Sequence, residues 1–224
     1  ENSGKQWLDF AARVDTRAPF GRGGMLLLDP TDITISTNTT SGGSCFSVGC
    51  FTLTGNPATA NLNVSDLVMA LGITNVTVST NSAGLGLGDI TVSAPVTSSS
   101  ANSLTLQASH DINIYSQVST GGLLNVTAGN NLNVIAYTAP AYLESVGNQT
   151  INVGGAITVQ GGIYSGQDAH ILSTAGTQNV TATNGIGVLS GTGASSSARL
   201  SASGGQTIAA KYLEVVAQGG NIAQ

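Results

Sequence analysis

Residues 121–138 read GGLLNVTAGNNLNVIAYT. Leu124, Val126, Leu132, Val134 and Ala136 occupy alternate positions, separated by polar or small residues except at Ile135 and without a single charge. Strict alternation is the signature of a half-buried strand. The two runs are parted only by Ala128-Gly129-Asn130-Asn131, a cluster of turn-forming residues.

The pattern extends outward in both directions. ITIS (33–36), VTVST (76–80), DITVS (89–93), SLTLQA (103–108), DINIYS (111–116), TINV (150–153) and ITVQ (157–160) alternate in the same way. Gly, Asn, Ser or Asp bounds each run. One helix is expected, over Ser65–Gly72, with Ser65 as cap, Leu67, Val68 and Leu71 on one face and Gly72 as terminator.

An antiparallel sandwich and a β-solenoid both fit many short strands, and spacing separates them. Leu104, Leu124, Leu143 and Ile163 recur at intervals of 20, 19 and 20 residues. Ile90, Ile112, Leu132 and Ile151 recur at 22, 20 and 19. Two offset series with a common period mean that each coil contributes several strands and stacks on the next. The expectation is an all-β, right-handed parallel β-helix with these eight residues as inward ladders. Coils of about 20 residues are expected over 76–224. Residues 1–75 are read as an N-terminal cap and first coils, with a hairpin and a short helix.

Composition follows from such stacking. Equivalent side chains repeat about every 4.8 Å from coil to coil, so charges in register would repel along the whole stack. Only 8% of the 224 residues are charged, and Asn, Thr, Ser and Gln take the outward places. The 30 glycines are expected at corners, where positive φ is tolerated. A mean hydropathy of +0.20 argues against disorder. A net charge of −5 with 6 Lys plus Arg argues against nucleic acid and anionic membrane surfaces. The most apolar run, Met25–Leu28, is about one fifth of a ~20-residue membrane span.

Cys45 and Cys50 supply too few ligands for a zinc site. They read as a local disulfide closing a hairpin tip, or as two free thiols. The 11 acids show no carboxylate cluster of the kind a polysaccharide-cleaving site needs. Asp89 and Asp111 each precede a strand and are expected to stack one coil apart as turn-capping corner residues; a calcium or sugar site there is the alternative. His110-Asp111 and Asp168-Ala169-His170 read as surface or corner residues. GLGLGD (84–89) lacks the repeat of a calcium-binding solenoid. The Asn-x-Ser/Thr sequons at Asn38, Asn63, Asn75, Asn125, Asn148 and Asn179 are read as chance products of an Asn- and Thr-rich solenoid. No catalytic residue, metal or cofactor is expected.

GGMLLLDPTDITIS (23–36), VSDLVMAL (64–71), NVTVSTNSAGLGLGDITVSAPVT (75–97) and NSLTLQASHDINIYSQVST (102–120) together resemble the filamentous haemagglutinin-like large exoproteins, the passengers of bacterial two-partner secretion. The resemblance covers roughly residues 23–130. It implies an extracellular right-handed β-helix serving adhesion, biofilm cohesion or a stalk. The family's N-terminal secretion domain has no counterpart in these residues, so the chain reads as a fragment or processed subunit.

Solenoid ends expose unpaired strand edges. Gly219–Gln224 reads as another half-strand, and Trp7, Leu8, Phe10 and Val14 form an apolar cluster before the first coil. That cluster is read either as a cap on its own first coil or as the segment that completes the open coil of another copy, with Ile222 on the opposite side of the junction. The expected function is therefore an extracellular, non-enzymatic fibre subunit or adhesin segment. Its expected partners are further copies head to tail, or flanking coils of a longer chain, with surface glycans as a further possibility. A carbohydrate-binding or carbohydrate-cleaving β-helix is the alternative.

Overall fold

The computed structural model describes residues 25–28, 32–41, 44–47, 50–52, 59–80 and 87–217, of which 25–28, 44–47 and 50–52 are described as backbone only. The chain enters as β1 (Met25–Leu28) and β2 (Asp32–Ser36). A hairpin of β3 (Ser44–Ser47) and β4 (Cys50–Thr52) follows, then β5 (Thr59–Asn63) and α1 (Val64–Leu71). Three coils of three strands come next: β6 (Asn75–Ser79), β7 (Ile90–Val92) and β8 (Val96–Ser98); β9 (Leu104–Ala108), β10 (Ile112–Ile114) and β11 (Gln117–Thr120); β12 (Leu124–Ala128), β13 (Leu132–Ile135) and β14 (Ala141–Ser145). The last coils hold β15 (Gln149–Val153), β16 (Ile157–Gln160), β17 (Ala169–Ser173), β18 (Gln178–Leu189), β19 (Ala198–Ala202) and β20 (Gln206–Val216).

Successive coils pair in parallel, giving a β-solenoid of about six turns with three columns of strands. The first column runs β1, β6, β9, β12, β15 and the first half of β18; the second runs β5, β2, β7, β10, β13, β16 and the second half of β18. The third holds β8, β11, β14, β17 and β19. β20 pairs along both halves of β18 and closes the first two columns.

The inward residues form ladders as the alternation requires. Ile33, Ile90, Ile112, Leu132, Ile157 and Ile186 stack in the second column, and all are buried. Val76, Leu104 and Leu124 stack in the first, and Val96, Val118, Leu143 and Ile171 in the third. Three of the eight expected ladder residues depart from the two series. Leu104 with Leu124, and Ile90 with Ile112 and Leu132, stack as expected. Leu143 is buried, but in the third column beside Val118 and Ile171. Ile151 is buried in the first column between Val126 and Val180. Ile163 is no core residue: it is 66% exposed.

The cause is coil length. Equivalent positions are 22 residues apart at Asp89/Asp111, 20 at Asn113/Asn133, 25 at Asn131/Ala156 and 29 at Gln149/Gln178. The added residues enter mainly at the corner between the second and third columns, residues 136–140, 161–168 and 190–197 in successive coils. Ile163 lies on that lengthened corner. A period extrapolated from the short coils therefore misses it.

The helix starts two residues earlier than expected. Asn63, not Ser65, is its cap, and Asn63 Oδ1 accepts from Ser65 N at 2.8 Å. Gly72 ends it as expected, and Asn102 Nδ2 donates to the terminal Leu71 carbonyl at 2.7 Å. Leu67 and Leu71 are fully buried, and α1 packs on β8, the first strand of the third column. A helix laid there covers an edge that would otherwise template further strands. The β3–β4 hairpin is present as antiparallel backbone, but the side chains of Cys45 and Cys50 lie outside the described residues.

The corner glycines do a different job from the one expected. Among the described glycines only Gly88, Gly166 and Gly205 have positive φ. At Gly122, Gly129, Gly154 and Gly191 the restriction is the coil below. A Cβ would run into the backbone carbonyls of Asn102, Ser109, Gly129 and Gly162 respectively.

One inward ladder turns polar. Above Leu104 and Leu124 the position is held by Gln149, Gln178 and Gln206. Gln178 Nε2 donates to Gln149 Oε1 at 2.6 Å and Gln206 Nε2 to Gln178 Oε1 at 2.5 Å, while Gln149 Nε2 reaches the Leu143 carbonyl at 3.1 Å. Replacing Gln178 alone with leucine strands the buried Gln149 Oε1, and the expected loss is about 1–3 kcal/mol in urea denaturation. The double change Gln149→Leu/Gln178→Leu extends the aliphatic ladder instead, and should recover most of that loss.

Candidate functional site

The corner that feeds the second column is built from one repeated device. Asp32 Oδ1 accepts from the Gly88 and Asp89 amides at 2.7 and 2.9 Å. One coil on, Asp89 Oδ1 accepts from Asp111 N at 3.0 Å, and Asp111 Oδ1 from Asn131 N at 2.8 Å. Asn131 Oδ1 then accepts from Ala156 N at 3.0 Å. Each side chain thus caps the backbone of the coil above, which satisfies a donor that the turn would leave unpaired. Asp89 and Asp111 stack one coil apart, as their spacing implied.

The structure adds His110 to this corner. Its Nδ1 lies 2.8 Å from Asp89 Oδ1 and 3.7 Å from Asp111 Oδ2, and its Nε2 lies 3.3 Å from Asn130 Nδ2. The hydrogen bond to Asp89 raises the imidazole pKa above its ordinary value, against some desolvation; the charges of Asp111, Asp89 and Asp32 raise it further.

Asn and Asp serve the same structural role elsewhere. Asn75 Oδ1 accepts from Ser103 N, Asn148 Oδ1 from Thr177 N, and Asp168 Oδ1 from both N and Oγ of Ser197. Asn63, Asn75 and Asn148 are sequon asparagines, so their side chains are engaged in capping. Asn125 sits within β12.

A second group lies on the outer face of the third column. In register across three coils stand Tyr142, His170 and Arg199, beside Glu144, Leu172 and Ser201. The Tyr142 and His170 rings stack at 3.8 Å with 10° between planes. His170 Nε2 lies 3.5 Å from Glu144 Oε2, at the long limit of a hydrogen bond, and has no closer partner. Burial lowers the His170 pKa, with Glu144 opposing and Arg199 assisting. Burial likewise raises the Tyr142 phenol, helped by the charges of Asp168 and Glu144. On the adjoining corner Tyr115 and Tyr137 meet edge to face at 5.1 Å, and Tyr137, Ile163 and Tyr164 are exposed. The Asp168/His170 segment was legible as a corner and surface pair, but the Tyr142–His170 stack was not. Those residues are 28 positions apart, and that coil keeps no 20-residue period.

The third feature is the last described coil. Leu213 and Val215 continue the inward ladders of Ile186 and Val188. Ile186 and Val188 are 0% and 7% exposed, whereas Leu213 and Val215 are 52% and 58% exposed. No described residue covers them. The residues expected at an assembly junction, Trp7, Leu8, Phe10, Val14 and Ile222, lie outside the described residues. No described helix is long and apolar enough to cross a membrane.

Compared with protein-family models, curated proteins and solved structures, the chain matches none.

Proposed function

We propose that the chain is a non-enzymatic structural and adhesive β-solenoid, the repeating unit or a segment of an extracellular bacterial fibre or biofilm filament, of the filamentous haemagglutinin-like type. The observation that carries the reading is the uncovered inner face of β20. Apolar rungs that are buried in every other described coil are open to water there, and among the described residues no strand pairs with the far edge of β20. A further coil, from a second copy or from a longer chain, would continue both the hydrogen bonds and the ladders by strand addition. Such a heterologous contact does not close on itself, so it builds filaments. The resemblance over residues 23–130 and the low charge of the chain support the same reading.

Negative-stain electron microscopy of the purified chain tests it. The expected result is fibres with an axial repeat of one subunit, shortened to single rods by Leu213→Lys with Val215→Glu. Monodisperse rods at high concentration, unchanged by those substitutions, would reject assembly through this face. An oxidising compartment also predicts the Cys45–Cys50 disulfide, for which the β3–β4 hairpin supplies a backbone frame.

The outer face of the third column favours a second reading, glycan contact. Tyr142, His170, Glu144 and the exposed Tyr137 and Tyr164 supply the aromatic and carboxylate groups that sugar recognition uses. Adhesion by a fibre and recognition of a surface glycan are compatible roles.

A further inference from the structure

We propose that the corner formed by Asp89, His110 and Asp111 is a binding site for a first-row transition-metal dication of the zinc type, held between two consecutive coils. The site is independent of the fibre reading; the sequence reads Asp89 and Asp111 as turn-capping residues, with a calcium or sugar site as the alternative and no part for His110.

Three observations converge on it. The first is donor geometry. One ligand atom from each residue lies within 4.8 Å of the other two. The imidazole-to-carboxylate distances are 2.8 and 3.7 Å. Neighbouring donors about 2.1 Å from a small dication stand roughly 3.0–3.4 Å apart, in octahedral or tetrahedral arrangement. The two imidazole separations bracket that range, and the two carboxylates, within 4.8 Å of each other, would close on the ion by side-chain rotation.

The second is preorganisation. The Oδ1 atoms of Asp89 and Asp111 are tied to the Asp111 and Asn131 amides. Those bonds fix both carboxylates and point to Asp111 Oδ2, the oxygen nearer His110, as a donor still available. The mixed nitrogen and oxygen set, with so few oxygens, suits zinc, cobalt or nickel better than calcium, which takes six to eight oxygens.

The third is charge. Elsewhere the solenoid stacks neutral residues, such as Asn113 on Asn133 at 2.9 Å. Here Asp32, Asp89 and Asp111 occupy three successive rungs of one corner, the in-register repulsion that the rest of the chain avoids. Backbone capping does not require it, since the neutral Asn131 does the same work on the next rung. The described cations Arg199 and Lys211 form no ion pair with these carboxylates, and His110 stands at their centre. A dication replacing the proton on His110 would offset two of the three carboxylate charges and staple the β7 coil to the β10 coil.

The test is zinc binding by isothermal titration on the full chain, with cobalt absorption as a second readout. Wild type should bind one equivalent at this corner, with a visible cobalt spectrum that includes a nitrogen donor, and should melt at higher temperature when loaded. Asp89→Asn, Asp111→Asn and His110→Gln should each weaken binding by at least about tenfold. The Asn variants keep the capping oxygen that Asn131 supplies naturally, so their metal-free melting should stay close to wild type, which separates loss of a ligand from loss of the fold. No zinc uptake by the wild type overturns the proposal. So does uptake that survives His110→Gln and disappears in His170→Gln.

Discussion

Leu132→Asp is expected to abolish the cooperative unfolding transition of the solenoid at ordinary temperature. Leu132 is fully buried, and its neighbours on the ladder are Ile112 below and Ile157 above. No polar group of the ladder is placed to receive a carboxylate. Truncation to alanine at such a site already costs about 2–5 kcal/mol, through lost burial and the cavity left behind. Aspartate adds the desolvation of a polar group with no partner, several kcal/mol more even after it takes up a proton. A domain is stable by only ~5–15 kcal/mol in total, so the sum is comparable with the whole. The position also lies in the middle of the stack. Each coil is stabilised chiefly by its neighbours, so failure there separates two short halves. Ile163→Asp is the control. Both residues fall in the sequence-derived ladders, but Ile163 is exposed on a corner, and its substitution should stay within about 0.5 kcal/mol of wild type. Circular dichroism melts of the two variants side by side decide the matter. Equal losses would place Ile163 in the core after all.

The second large effect is expected at Gly129. Its amide donates to the Ala108 carbonyl at 3.0 Å, and a Cβ on it would collide with the Ser109 carbonyl. One coil higher, a Cβ on Gly154 would collide with the carbonyl of Gly129 itself. The obstacle in each case is backbone of the coil below, held by parallel pairing at about 4.8 Å, so no side chain can swing aside. Gly129→Ala is therefore expected to cost about 3 kcal/mol or more, at or above the upper end of ordinary overpacking. Gly166 is the informative contrast. Its φ is +74° but nothing lies within 4 Å of a Cβ there, so Gly166→Ala meets only the left-handed penalty of about 1–2 kcal/mol. Urea midpoints should rank Gly129→Ala well below Gly166→Ala. The reverse order would restore backbone conformation as the reason for the corner glycines.

Much of the site was visible as parts but not as an assembly. Asp89 and Asp111 could be placed one coil apart because each stands immediately before a strand of the same type and the intervening coil is short. His110 could not be placed between them from sequence, because which way a corner side chain turns depends on the coil beneath it. The buried Gln149–Gln178 pair was equally hidden. A glutamine in QTINV reads as an outward or flanking residue until the ladder below it is known. The Tyr142–His170 stack needed the true coil lengths, and those vary at one corner.

What the sequence determined by itself is the local and near-periodic part. Alternation with neutral outward residues dictates strands, and equal spacing over residues 104–135 dictates that they stack as coils rather than pair as hairpins. Both follow from the two-residue period of the strand and from the repulsion that charged ladders would suffer. What only the tertiary structure decided is which rung lies on which once the coils lengthen. Corner insertions cost little because they bulge into solvent, so they leave the strand pattern unchanged while shifting every later partner. The functional candidates, the His110 corner, the Tyr142 face and the open rungs of β20, all depend on that register.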